Sequence, residues 1–485
     1  MSTITLEHEV PGESTRTMAS ELHLDPNLTP QDYLVLRNLT QSTTLEKTAN
    51  GGQKSQSNGY SNGNANGHTK APVQRQMNGY ANGNGQLNRI RAEKENGPEQ
   101  NSDEFTIETL QSLSNPSSEN FEPTVTVTWD VRYIKAEYPV FYQNFLQPYI
   151  KWARSVVRVD TDVVMLTHLL LYLTTSIPSA WMLYYHFTWV HGVLHWLMQS
   201  WYVGTYTLMM HQHIHMRGIL AKKYFWIDYA FPYITDPLMG HTWNSYFFHH
   251  VKHHHVEGNG PDDLSSTLRY QRDSVPDFLH YVGRFFFFVW LDLPIYFFRK
   301  GKNGMACKVI FFELGNYATL FFLFRYINTR ATVFVFLLPL LVIRIGLMVG
   351  NWGQHALVDD IDPNSDFRSS ITLVDVASNR FCYNDGYHTS HHLNPLRHWR
   401  EHPVSFIKQK KTYAKEQALV FTNIDYVMMT IKILQKDYAY LAKCMVPIGD
   451  QGSMSLEERA AMLRRKTRRF SEQEIAAKFG KRAQQ

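Results

Sequence analysis

The stretch VVMLTHLLLYLTTSIPSAWMLYY, Val163–Tyr185, decides the fold class of this chain. It runs for 23 residues and contains no Asp, Glu, Lys or Arg. The hydrocarbon core of a bilayer requires a helix of about 20 apolar residues. The stretch therefore predicts a membrane-spanning helix.

Further apolar runs follow along the chain at Thr188–Met210, Phe278–Phe298, Val309–Ile327 and Thr332–Gly350. The run Phe278–Phe298 contains Arg284, Asp292 and Pro294 and is flanked by Arg299, Lys300 and Lys302. If it lies along the membrane interface, four spans remain, whereas a full crossing would separate the histidine-rich segments described below. We predict an all-α, multi-pass membrane helical bundle with about four spans plus interfacial helices.

The composition changes along the 485 residues, so the mean hydropathy of −0.33 does not exclude membrane spans. Near-repeats rich in Asn and Gly, NGYSNGNANG and NGYANGNG, cannot bury enough apolar surface to fold. We predict that deleting residues 1 to 100 leaves intrinsic activity largely unchanged. The predicted organisation is a disordered arm at 1–120, an interfacial segment at 121–160, a membrane domain at 161–410 and a basic, helical, cytosolic region at 411–485.

The distribution of Lys and Arg predicts the orientation in the membrane. The links at 186–187 and 328–330 carry one basic residue, Arg330, whereas the other connections carry several. Basic connections face the cytosol, which places both termini and every histidine-rich segment on the cytosolic side. The three cysteines form no disulfide pattern, and the N-terminus has no signal-peptide pattern.

Four short histidine-rich segments lie at or beyond the ends of the apolar runs, and they hold 12 of the 23 histidines. They are HQHIH (211–215), HHVKHHH (249–255), NWGQH (351–355) and YHTSHH (387–392). Taken alone, HHVKHHH is equally consistent with a solvated basic loop. The recurrence of such segments along the chain instead favours one metal site.

The spacing within each segment supports this interpretation, because residues three or four apart share one face of a helix. The side chains that can converge in this way are His211, His215, His250, His253, His254, Asn351, His355, His388, His391 and His392. A single zinc ion needs only four ligands, so this supply fits two metals with open positions. Iron is the metal we expect for redox chemistry, although imidazole also suits zinc, copper and nickel.

At these residues the sequence resembles the integral-membrane fatty acid desaturases, over roughly residues 160 to 410. The ordered set resembles that family's HxxxH, HxxHH and distant HxxHH boxes, and the NxxxH pair Asn351/His355 is similar to its acyl-CoA branch. The resemblance implies a cytosolic, histidine-rich di-iron cap. His213 is a possible substitute in the first box because it lies between His211 and His215. His249 and His255 are possible substitutes in the second, because HHVKHHH also fits an HxxxHH variant of the box. Asp385 is the expected partner of a ligand imidazole.

The resemblance implies an oxidoreductase of the endoplasmic reticulum membrane that uses two iron ions and O₂ to desaturate a lipid acyl chain. Electrons would come from an external cytochrome b5 and its NADH-dependent reductase, because the chain has no fused haem-binding, dinucleotide-binding or iron–sulfur motif. No nucleic-acid partner is expected. Two alternatives stay open: a hydroxylase or epoxidase on the same centre and, more remotely, a transition-metal transporter with histidine-rich loops.

Overall fold

The computed structural model describes residues 28–51, 102–374 and 376–480. Within these ranges, four helices are long and apolar enough to cross a membrane. They are α5 (Val163–Tyr185), α10 (Val275–Arg299), α11 (Asn303–Ile327) and α12 (Thr329–His355). The prediction of an all-α, multi-helix membrane fold is confirmed.

Helix α6, Trp189–Met216, follows α5 and packs against it. It has 28 residues, but its five histidines and two glutamines keep it out of the set of helices apolar enough to span. Several of these polar side chains face α5: Gln199 accepts a hydrogen bond from Ser176, and His195 contacts the Ser179 hydroxyl at 2.8 Å. The α5 contacts therefore satisfy polar groups that lipid would leave unpaired. His195 is therefore a packing residue between α5 and α6.

Helix α10 contacts one short segment, from the end of α9 at Glu257 to Ser265, near both of its own ends. The Tyr281 hydroxyl donates to the Ser265 carbonyl at 3.4 Å, and the Tyr296 hydroxyl donates to Glu257 at 2.6 Å. A helix that carried the chain across the bilayer would place its two ends on opposite sides. The contacts therefore favour the interfacial arrangement of the run Phe278–Phe298, although α10 also has the composition of a span.

Short elements build a cap at the end of the bundle where α6 and α12 finish. Before α5 lie α3 (Val131–Glu137) and a broken helix, α4, through Pro139–Phe141, Tyr142–Leu146 and Gln147–Arg154. Between α6 and α10 lie α7 (Phe225–Ala230), α8 (Pro232–Leu238) and α9, a π-helix at Phe247–His254 that continues as His255–Glu257.

The elements after α12 complete the cap. They are α13 (Asp366–Ser369), β1 (Ile371–Leu373), α14 (Val376–Phe381), α15 (His388–Leu393), α16 (His402–Lys408), α17 (Lys410–Lys415), β2 (Leu419–Phe421), α18 (Tyr426–Leu434), α19 (Tyr438–Cys444), α20 (Leu456–Arg465) and α21 (Glu472–Phe479). Strands β1 and β2 pair in parallel, with Thr372 opposite Val420. A capping box begins α20: the Glu458 amide donates to the Ser455 hydroxyl, and the Ser455 amide donates to the Glu458 carboxylate.

Two N-terminal helices pack onto this cap, α1 (Pro30–Gly51) and α2 (Asp103–Ser114). Leu36 of α1 and Leu110 of α2 are each 1% exposed and share an apolar cluster with Phe406 of α16. For these two helices the prediction of a disordered arm at 1–120 is wrong, because their apolar side chains pack against the cap. The Asn/Gly-rich repeats lie outside the described residues, and disorder there stays a prediction.

Candidate metal centre

The C-terminal turn of α6 carries the first two imidazoles. His211 and His215 are one turn apart and buried, with ring centroids separated by 4.8 Å. The helix ends at Arg217, whose backbone is left-handed with φ of 56°. His213 lies on another face, where its Nε2 is 3.1 Å from the Asp228 carbonyl oxygen. His213 therefore takes no part in the cluster.

The second segment is wound as a π-helix, which changes which histidines share a face. Hydrogen bonding in a π-helix runs from residue i to i+5 and widens the turn. His250 and His255 consequently meet, with their Nε2 atoms 3.0 Å apart, and His254 lies beside them. His253 turns the other way: its side chain is fully buried, and its Nε2 accepts a hydrogen bond from the Leu264 amide at 3.1 Å. The HxxHH register is therefore replaced by the HxxxHH variant.

The remaining imidazoles come from α12 and α15. His355 ends α12, and its Nε2 lies 3.0 Å from the Nε2 of His388 at the start of α15. His391 and His392 follow one turn later and point to different neighbours. The Nε2 of His391 is 3.0 Å from that of His211, whereas the His392 ring is 4.9 Å from that of His355.

Together the four segments form two adjoining groups of side chains. Site 1 consists of His211, His215, His250, His255 and His391, and site 2 consists of His254, His355 and His392; within each site the possible ligand atoms lie within 4.8 Å of one another. His388 adjoins site 2 through its contact with His355. The structure thus brings together nine imidazoles, including eight of the nine histidines expected as ligands, with His255 in place of His253.

The chemistry of these donors fits bound cations. Burial first, and then the neighbouring imidazoles, lower the pKa of His250, His255 and His391 well below the usual value. These rings are consequently neutral at neutral pH, and each has a lone pair available. Nε2 atoms converge at 2.9–3.0 Å in site 1, while the buried His215 and His392 Nε2 atoms have no hydrogen-bond partner among the described residues. Converging lone pairs of this kind can be shared by metal ions.

Three carboxylates lie behind these rings, each beside an Nδ1 atom. Asp263 Oδ2 is 2.7 Å from His254 Nδ1, Asp385 Oδ1 is 3.4 Å from His211 Nδ1, and Asp366 Oδ1 is 3.4 Å from His392 Nδ1. The Asp263–His254 contact is a hydrogen bond, and a carboxylate bonded to Nδ1 in this way holds an imidazole so that Nε2 can face a metal. Sequence spacing offers no signal for Asp366. Asp359 and Asp360, in the nearby stretch 356–363, pair with the basic residues Lys466 and Arg468 and not with a histidine of the cluster.

Asp263 is the most strongly held of these carboxylates. It is fully buried, and it also accepts hydrogen bonds from the Ser265 amide at 2.8 Å, the Ser265 hydroxyl at 2.7 Å and the Asn259 amide at 3.1 Å. Burial alone would raise the pKa of Asp263, but His254 and these donors lower it well below its usual value. Asp263 therefore stays ionised and orients His254.

Asp385 and Asn351, both singled out by the sequence, lie beside the cluster. Burial raises the pKa of Asp385 to about 7, against the opposing effect of a hydrogen bond from Gln354. The Asn351 amide nitrogen donates to the Ser265 carbonyl at 3.0 Å and contacts the Tyr281 hydroxyl at 2.7 Å. A direct or water-mediated metal role for Asn351 stays a prediction.

A cavity of about 480 Å³ leads from the cluster into the membrane helices. This volume is within the range of about 300–1,000 Å³ that is typical of ligand pockets. His211, His250, His254 and His388 line one part of it. Much of the remaining wall is apolar, with contributions from α6 and α12. An extended apolar chain placed in this cavity would pass the imidazoles.

His249, the third possible substitute, also lines this cavity, but its ring packs 5.0 Å from that of Phe285 and lies outside both sites.

Comparison with known proteins agrees with this geometry. Residues 187–409 match the family model described as Fatty acid desaturase, and the matched segment contains all nine clustered histidines. No curated protein and no solved structure matches the chain. The chain therefore contains a segment, residues 187–409, that matches the fatty acid desaturase family.

Proposed function

We propose that this protein desaturates a lipid acyl chain in an O₂-dependent reaction, using two iron ions held by the nine clustered histidines. The observation that carries the proposal is the convergence of nine imidazoles, most of them buried, beside a cavity large enough for a ligand. Bound iron would supply the capacity to reduce O₂ and remove hydrogen from an unactivated C–H bond. The protein positions the chain and the metals.

The residues of this chain have separable roles in that reaction. Sites 1 and 2 hold one metal each, with His388 completing site 2. Asp263, Asp366 and Asp385 orient the rings through Nδ1. The apolar cavity wall holds the substrate in register and excludes water from the oxidising centre.

The physiological setting is part of the same proposal. The boxes face the cytosol from the endoplasmic reticulum membrane, and cytochrome b5 with its NADH-dependent reductase supplies electrons. Basic connections on the side of the cap support this orientation. The cavity wall also supports desaturation of a lipid over metal transport, because the imidazoles line a wide, largely apolar space.

The test compares two substitutions in the same segment, His255→Gln and His253→Gln. We expect about two irons per chain in purified wild-type protein, measured by elemental analysis and, after iron-57 enrichment, by Mössbauer spectroscopy. His255→Gln removes a donor from site 1 and should lower the iron content and abolish formation of unsaturated product. His253→Gln should retain both, because glutamine can still accept the Leu264 amide hydrogen bond.

Equal iron content in the two variants would contradict the assignment of His255. Folded wild-type protein that binds zinc or nickel but no iron would overturn the proposed chemistry.

A further inference from the structure

The cavity is lined by glycines where it passes between α6 and α12. Gly204 and Gly346 both line it and are both exposed, and Gly350 lines it one turn further along α12. A Cβ atom placed on any of these three glycines would have no atom within 4 Å among the described residues, apart from the backbone of its own helix. The space beside them is therefore open and not filled by a neighbouring helix.

The two exposed glycines lie at a similar depth in the bundle. Gly204 precedes His211 by seven residues, and Gly346 precedes His355 by nine. At 1.5 Å per residue, they lie about 10 Å and about 13 Å from the histidine ends of their helices. Leu341 and Ile345 of α12 are 43% and 41% exposed, as expected for side chains that face lipid. The glycine-lined gap thus lies within the apolar part of the bundle.

The end of the cavity nearest the cap is also apolar at its edge. Phe381 and Val427 line the cavity and are 39% and 54% exposed. Among the described residues that line the cavity there is no lysine or arginine, whereas Asp385 and Asp425 contribute carboxylates. A coenzyme A thioester carries several phosphate charges, which proteins bind with Arg and Lys. Among the described residues, the cavity lining therefore has no cationic side chain that could bind such a head group.

We propose that the substrate is the acyl chain of a lipid resident in the bilayer, which enters sideways through the gap between α6 and α12. Gly204 and Gly346 set the width of this gap, while the lipid head group stays at the interface beside Val427. This inference rests on the proposed function for its substrate. The entry route itself can be measured without turnover, so the entry route and the proposed function can be tested separately.

Photocrosslinking tests the route in full-length protein reconstituted into nanodiscs without an electron donor, so that no turnover occurs. Two lipids with a diazirine in the acyl chain are compared, a phosphatidylcholine and a ceramide, alongside a diazirine acyl-CoA added from solution. We expect either lipid to label α6 and α12 within the cavity, and the stronger one identifies the lipid class. Labelling by acyl-CoA alone, or no labelling within the cavity, would overturn the proposal.

Gly346→Val tests the width of the gap. The absence of neighbouring atoms allows the variant to fold, and the added carbons should reduce lipid labelling by about tenfold because they obstruct a packed chain. Gly283→Val is the matched control, since Gly283 is also in a long apolar helix with no atom within 4 Å of a built Cβ and does not line this cavity. Unchanged labelling of folded Gly346→Val would contradict sideways entry. Iron content measured on the same variants distinguishes this outcome from failure of the metal proposal.

Discussion

Replacing Asp32 by alanine tests whether the N-terminal helix supports the metal centre. Asp32 is 1% exposed, and its Oδ1 accepts hydrogen bonds from the Tyr387 hydroxyl and from Asn379 Nδ2, both at 3.0 Å. Tyr387 immediately precedes His388, whose ring contacts His355 beside site 2. Helix α1 therefore holds the backbone from which a predicted ligand projects.

The size of the effect follows from the two donors that Asp32→Ala leaves without this acceptor. A buried polar group that loses its partner costs about 1–3 kcal/mol. Because Asn379 Nδ2 keeps a hydrogen bond to the Leu373 carbonyl at 3.2 Å, the Tyr387 hydroxyl accounts for most of the expected effect, a loss of about 1–3 kcal/mol in the free energy of unfolding. Loss of an orienting group behind a metal ligand typically lowers metal affinity about 10–100-fold. Because Asp32 acts on His388 through Tyr387, the lower end of that range is expected here.

The assay combines thermal unfolding in detergent with iron content after dialysis against a graded chelator. Asp32→Asn keeps an acceptor oxygen and should recover most of the stability and iron retention. Glu104→Ala, at an exposed position of α2, is the surface control and should change stability by no more than about 0.5 kcal/mol. Wild-type melting and iron retention in Asp32→Ala would refute the reasoning that Asp32 supports the metal centre.

Three further outcomes are expected. Asp263→Ala should weaken iron retention about 10–100-fold in a chelator titration, and unchanged retention would show that His254 needs no carboxylate. Glu313→Ala should lower the free energy of unfolding by about 3–5 kcal/mol, because it leaves the buried Arg344 guanidinium without the carboxylate that lies 3.0 Å away. The double variant Glu313→Ala/Arg344→Met should recover stability, because it removes the unpaired charge as well. Equal melting temperatures of the single and double variants would contradict a stabilising role for this ion pair. Chelator treatment of the wild type should lower its melting temperature, with recovery on adding ferrous iron; a melting temperature insensitive to iron would argue against a bound metal.

The second histidine segment marks the limit of prediction from spacing. An α-helical face groups His250 with His253 and His254, and the sequence contains no local signal for a wider turn. In the structure, the π-helix pairs His250 with His255, while the Leu264 amide and the ring of Tyr296 occupy the side that His253 faces. Contacts from distant parts of the chain therefore accompany the change of register.

The N-terminal helix is a similar case. Its residues 34–39, LVLRNL, form a short apolar run inside a polar segment, and such a run indicates nothing about a partner. The partner is an apolar surface assembled from α2 and α16, which are distant in sequence. Hydrophobic stabilisation depends on the apolar area removed from water, so whether α1 packs depends on a surface that exists only in the folded protein.

The sequence by itself determined the long apolar segments, the four histidine segments and their order, because apolar length and residue chemistry are local properties of the chain. The tertiary structure decided which imidazoles share a site, which carboxylates stand behind them, and where a chain can approach. These depend on how α6, α9, α12 and α15 meet at one end of the bundle. A metal site is a geometric requirement on several segments at once, and spacing within any one segment constrains only part of it.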